Sequence, residues 1–270
     1  MGSTSPAKVL KINLDPVAEV HLKMPPLEKV LADVRFSQTP ELISDEVEQL
    51  ISSYLKRYPV RRQVQSVRLN VNPVSSSVSQ ESVVVRTFSD TENSWVITLS
   101  AFSVGISTTS YHSRDDFCER AYEVFEAVDL VGKPPIVDRV GMRYINRITD
   151  PSHLSRLDDY VEPRLRVLDG IVDGDTPIEY SVSNSLIQIS DSERMKVQSG
   201  VLPPSVTFDP AFTPVDAKSW ILDSDVFTIG GQILFEPQAL KERLERYSTH
   251  AYSVFRWATT AALLEAFSKG

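Results

Sequence analysis

The chain has 270 residues, enough for one large domain or two modest ones. Its 41% hydrophobic and 24% charged content lies near globular averages and excludes wholesale disorder. Acids outnumber bases 36 to 28, and the net charge of −8 disfavours nucleic acid as a partner while leaving room for a local basic patch.

No apolar run approaches the ~20 residues that span a bilayer, and the opening MGSTSPAKVLKINLD lacks the apolar segment of a secretion signal. A cytoplasmic protein without a membrane partner is therefore expected. Cys118, the one cysteine, excludes an internal disulfide and a multi-thiolate zinc site. No cofactor and no metal site is expected.

Residues 1–24 read as an N-terminal extension in which Val9–Leu14 alternates weakly. From Pro25-Pro26-Leu27 a strand is predicted over 30–36. Thr39-Pro40-Glu41 then offers a capping side chain, a proline at the first helical position and an acid for the helix dipole. Leu42, Ile43, Val47, Leu50, Ile51, Tyr54 and Leu55 follow at helical spacing, predicting a helix over about 40–58. Strands are predicted near 63–72, 82–89 and 94–110, with serine-rich Asn72–Gln80 as a turn. Ser113, with Asp116 three residues on, predicts the start of a helix carrying Phe117, Ala121, Val124, Phe125 and Val128.

The second half echoes the first. Pro134-Pro135-Ile136 leads into Val140-Gly141-Met142-Arg143-Tyr144 as Pro25-Pro26-Leu27 leads into Val34-Arg35-Phe36. Ser219-Trp220-Ile221-Leu222 with Phe227 echoes Ser94-Trp95-Val96-Ile97 with Phe102. The prolines lie 109 residues apart and the Ser-Trp pairs 125, so the second copy carries insertions. Pro203, Pro204, Pro210 and Pro214 predict a long loop at about 199–217. From Pro237, Leu240, Leu244, Tyr247, Ala251, Phe255, Ala258 and Ala262 make one stripe along a terminal helix of about 31 residues, and that stripe leaves a homodimer seam open.

The fold class expected is α+β. Duplicated strand-helix-three strands-helix units, at 25–132 and 133–270, would form a mostly antiparallel sheet with helices on one face. The bland alternative is an unrelated pair of α+β domains.

No phosphate-binding glycine loop, H-E-x-x-H or G-x-S-x-G motif occurs, and no catalytic residue is assigned. His21, His112, His153 and His250 lack paired ligand spacing. Cys118 lies early in a helix, where the dipole could lower its pKa, but beside Phe117 it reads as an inert buried thiol. Asp169, Asp173 and Asp175 read as a solvated turn, because the spacing and terminal glutamate of a calcium loop are missing.

The most distinctive segment is Asp138–Ile148. On a strand, Arg139, Arg143 and Arg147 share a face over about 27 Å, and Arg35 is the counterpart of Arg143. Such a row could bind a small anion, a phosphate backbone or an acidic protein partner, or it could simply pair with the chain's own acids. A second basic stretch, Lys56–Arg68, carries Arg57, Arg61, Arg62 and Arg68 with no acid. It serves either as a solvated helix-to-strand turn or as a patch for nucleic acid.

Together, Pro25-Pro26-Leu27, Val34-Arg35-Phe36, the central Arg139–Ile148 and the aromatic terminal helix resemble a sporadically distributed prokaryotic family of unknown function, over about residues 24–267. The resemblance implies an accessory cytoplasmic protein, with mobile or defence-associated gene neighbourhoods. It carries over no activity and no catalytic residues, and no role for His250. The first expectation is a non-catalytic protein that binds a partner protein or a small anion, in a defence or toxin–antitoxin-like system. The alternatives are a metal-dependent hydrolase or nuclease using Asp223, Asp225 and Glu236, and nucleic-acid binding through the arginine row.

Overall fold

A computed structural model describes residues 17–20, 22–72, 77–134, 136–166, 178–207, 209 and 212–269, with side chains left out at 67–72, 77–81 and 269. The first half runs β1 (Leu27–Phe36), a 3-10 turn (Pro40–Ile43), α1 (Asp45–Tyr54), β2 (Val60–Asn72), β3 (Ser77–Ser89), β4 (Trp95–Leu99), β5 (Ser103–Thr108) and α2 (Arg114–Gly132). The second runs β6 (Ile136–Ile148), α3 (Pro151–Leu154), α4 (Leu157–Tyr160), a 3-10 turn (Pro163–Leu165), β7 (Ser181–Gln188), β8 (Glu193–Leu202), β9 (Ser219–Thr228), β10 (Ile233–Leu234), α5 (Pro237–Ala258) and α6 (Ala261–Lys269). The fold is α+β, and the ten strands are antiparallel. Each half has the order strand, helical segment, four strands, helix, and each Ser-Trp pair opens the third strand after the helical segment.

The chain divides into two compact units, and it passes between them four times, after Glu28 in β1, in the middle of β6, after Ile229 and in the middle of α5. One unit comprises Lys29–Met142 and Gly230–Arg246. Its strands lie in the order β2-β3-β4-β5-β1, followed by the first part of β6, onto which β10 also pairs. Alternation decides which face is covered. Val30, Ala32 and Val34 stand opposite Thr108, Ile106 and Val104, which in turn face Trp95, Ile97 and Leu99. All of these are buried, and α2 brings Phe117 to 5.8 Å from the Trp95 ring. Cys118, Ala121, Val124, Phe125 and Val128 complete its apolar side.

The other unit comprises Met1–Glu28, Arg143–Ile229 and Tyr247–Gly270. Its strands follow β6-β9-β8-β7. On one face Tyr144 meets Ser248 of α5 through their hydroxyls at 2.7 Å, and Tyr247 donates to Glu193 at 2.9 Å. On the other, β8 and β9 set Gln198 opposite Asp223 and Lys196 opposite Asp225.

Several sequence expectations are corrected. The 40–58 helix is a 3-10 turn followed by α1, because Ser44 interrupts it and itself caps α1, accepting from Val47 N at 3.3 Å. Thr39 makes no side-chain cap. The 94–110 strand is a hairpin, folded back at Ser100–Phe102. The terminal helix is two helices, broken at Thr259, which bridges Val161. Phe227 continues β9 instead of echoing Phe102, which lies in the β4–β5 turn. Val9–Leu14 lies outside the described residues, as does most of the Asn72–Gln80 turn.

Candidate functional site

Strand alternation does place Arg139, Arg143 and Arg147 at equivalent positions of β6, and the fold gives each an acid. Arg143 donates from Nε and Nη2 to the two carboxylate oxygens of Asp223 at 2.7 and 2.8 Å, a forked pair. Its Nη1 reaches Asp209 at 3.3 Å. Arg147 is ion-paired to Glu28 (Nε–Oε2 2.8 Å) and donates to the Thr213 carbonyl at 2.7 Å. The Phe212 ring lies over both guanidinium groups, at 5.6 Å from Arg143 and 5.3 Å from Arg147. Part of the proline-rich connection between β8 and β9 thus covers Arg143 and Arg147, where its prolines had predicted only a loop.

Burial sets the electrostatics. The Asp223 side chain is 2% exposed and that of Arg143 11%. Burial alone would lower the Arg143 pKa, but Asp223 and Asp209 hold it above its ordinary value. Burial raises the Asp223 carboxyl, and Arg143 offsets this only in part. The direction firmly set by geometry is the charged guanidinium, because two carboxylates converge on it. Asp223 is therefore committed to Arg143, and among the described residues no three His, Cys, Asp or Glu side chains form a group able to hold a metal ion.

Arg35 and Arg139 share Asp33, at 2.9 and 3.5 Å. Arg35 is 63% exposed, so the counterpart of the buried Arg143 lies in solvent. Gly141 lets the Arg139 side chain lie back along its own strand, since a Cβ there would stand 2.5 Å from Nη1.

The second basic stretch is differently placed. Lys56 and Arg57 follow α1, while Arg61 and Arg62 lie in β2. Arg57 sits 3.6 Å from Glu123, and Arg61 Nη1 donates weakly to Ser52 at 3.4 Å. Lys56 and Arg62 are exposed and have no ion-pair partner among the described residues. Arg68 lies further along β2, and only its backbone is described. β2 pairs β3 over thirteen residues, whereas β3 pairs β4 only at Arg86–Ser89. Beyond that point the two strands continue, among the described residues, as a ribbon without a third. Residues 61–66 are all exposed, on both faces.

Other candidates fall into structural roles. His153 stacks on Phe267 at 4.6 Å, with its Nδ1 3.3 Å from the Tyr160 hydroxyl. Cys118 is fully buried, and burial pushes its thiol up to about 12. Asp169, Asp173, Asp175 and His21 lie outside the described residues. Sequence reasoning missed Arg86, a buried cation held by the Ile43 carbonyl (2.7 Å), Asp45 (2.7 Å) and Glu48. The signal was available: in Val83-Val84-Val85-Arg86-Thr87-Phe88 it shares the parity of buried Phe88. No family model, curated protein or solved structure matches this chain.

Proposed function

We propose that this chain is a non-catalytic recognition protein that binds a partner protein through the β2–β3 ribbon. It would be a cytoplasmic member of the prokaryotic family of unknown function that its central motif resembles. The observation that carries the reading is the ribbon itself. Thirteen-residue strands run on past their support from Val64 onward, and both Arg61 and Arg62 at the start of β2 and half-exposed Val64 are open to solvent. A two-stranded ribbon is marginal alone in water, so one extended this far gains from a partner. The arginine row, being occupied by Asp33, Asp209, Asp223 and Glu28, supports packing in preference to anion capture. The matching order of elements in the two halves supports an internal duplication.

Native mass spectrometry of the protein expressed beside its neighbouring genes tests the reading. A stoichiometric partner is expected. A species that retains divalent metal and hydrolyses nucleic acid or phosphoester would replace it with the metal-dependent reading.

A further inference from the structure

We infer that the outer edge of β2 is a docking strand for an extended acidic segment of a partner protein, which adds to the ribbon as a further antiparallel or parallel strand. The inference rests on the binding reading above and names its chemistry. β2 is the terminal strand of its sheet order, and among the described residues it pairs only with β3. Every second residue of such a strand turns its N–H and C=O outward, ready for a ladder. Strand addition uses those groups for affinity and alternate side chains for specificity.

The side chains state which strand fits. Lys56–Arg68 holds five cations and no acid, in a chain whose acids exceed its bases by eight. Arg61 and Arg62 point to opposite faces, as adjacent strand residues must, and both are exposed. An incoming strand answers them with two adjacent acids, one per face. On the Arg62 face, Val64 stands opposite Val85, and Ser66 opposite Val83. Val64 is 47% exposed, so the strand gains by placing apolar or β-branched residues there. The other sheet edge, β7, has no charged residue between Ser181 and Gln188 and offers no such code.

A second copy fits poorly. Antiparallel pairing of β2 with itself about Gln65 sets Arg62 against Arg68, and parallel pairing sets Arg61 against Arg61. Like charges directly opposite are destabilising. Edge arginines also deter indiscriminate strand pairing. That role is compatible with the proposal, because a charged edge rejects neutral and basic strands while admitting an acidic one.

The test uses the full chain and a labelled decapeptide of alternating valine and threonine with two adjacent central glutamates, followed by fluorescence anisotropy. Controls are the same peptide with two lysines and a 20-base-pair DNA duplex at equal ionic strength. Binding of the glutamate peptide is expected, at least about tenfold tighter than the lysine peptide. Amide exchange over 60–66 should slow in the complex. Arg61→Glu with Arg62→Glu should reverse the preference, and Arg62→Ala should weaken binding while leaving circular dichroism unchanged.

The inference is overturned if the glutamate peptide does not bind, or binds without protecting 60–66. It is equally overturned if the duplex binds in preference, or if the chain dimerises through Arg61 and Arg62. In the co-expression experiment, a partner retained by the Arg61→Glu, Arg62→Glu variant overturns edge docking and leaves the recognition reading standing. Absence of any partner from both proteins overturns the recognition reading itself.

Discussion

Replacing Arg143 with methionine separates a structural arginine from a ligand-binding one. The substitution keeps the aliphatic bulk under Phe212 and removes three hydrogen bonds, two to Asp223 and one to Asp209. Asp223, with 2% of its side chain exposed, then stays buried without its cation. Removing one partner of a buried ion pair costs about 3–5 kcal/mol, because the other charge is stranded. With a urea m-value of about 2–3 kcal/mol per molar, the unfolding midpoint falls by about 1–2.5 M. Tryptophan fluorescence follows this directly, since Trp220 is buried in β9. The deficit also depends on pH. Asp223 already titrates above its ordinary 3.8, and without Arg143 it rises further. The folded form then retains a proton that the unfolded chain gives up, so the deficit is smallest below pH 3.8 and grows as pH rises. The double variant Arg143→Met, Asp223→Leu should recover most of the loss, as replacing both partners by apolar groups often does. A single-variant loss below about 1 kcal/mol, or a double variant no better than the single, would refute the structural assignment.

Cys118 should resist alkylation at pH 8 in the native protein and react on unfolding. Its pKa is raised from 9.0 to about 12, so the proton is held by the folded state alone over that window. Its share of stability is complete below pH 9 and is lost above it, at up to ~1.4 kcal/mol per pH unit. Cys118→Ala should remove that part of the alkaline slope in paired denaturation curves. Ser113→Ala should destabilise by about 1 kcal/mol by removing the bond that Ser113 Oγ accepts from Asp116 N, and Ser113→Asp should not. Equal melting losses in both would contradict the cap. Gly200→Ala drives a methyl group into the Ser181 carbonyl of β7, at a cost of about 1–3 kcal/mol. Faster amide exchange across Ser181–Gln188 is the expected sign, and unchanged exchange would count against the contact.

Elements bounded by local chemistry could be read from the sequence. Ser113 with its acidic first turn marks α2 within a residue, because a helix end is satisfied by side chains adjacent in the chain. The alternation of Val30, Ala32, Val34 and Phe36 likewise reports one buried face. The breaks were hidden where both sides share a period. Leu42 and Ile43 fit the α1 spacing although they belong to a 3-10 turn, and the apolar stripe passes through Thr259 without a glycine or proline to mark the gap. For the arginines, alternation gives the face and nothing more. Whether Arg143 meets solvent or Asp223 is decided by residues 66 and 80 positions away, which no local pattern contains. The exposed ribbon was hidden for the same reason: the strand predicted near 63–72 reads as an ordinary one, and only the early end of the β3–β4 pairing reveals that, among the described residues, it runs on unsupported from Val64.

The chain leaves one unit in the middle of β6, re-enters it at Gly230 and leaves it again in the middle of α5, so neither unit is a continuous stretch of sequence. Synthesis therefore cannot complete them one after the other. When residue 142 has emerged, the unit holding Lys29–Met142 still lacks Gly230–Arg246, which follow nearly ninety residues later, and the other still awaits Tyr247 onward. Both are finished within the same last few dozen residues. A ribosome stalled at any point before α5 would hold two incomplete cores, and a cut that trims the protein to a single unit does not exist.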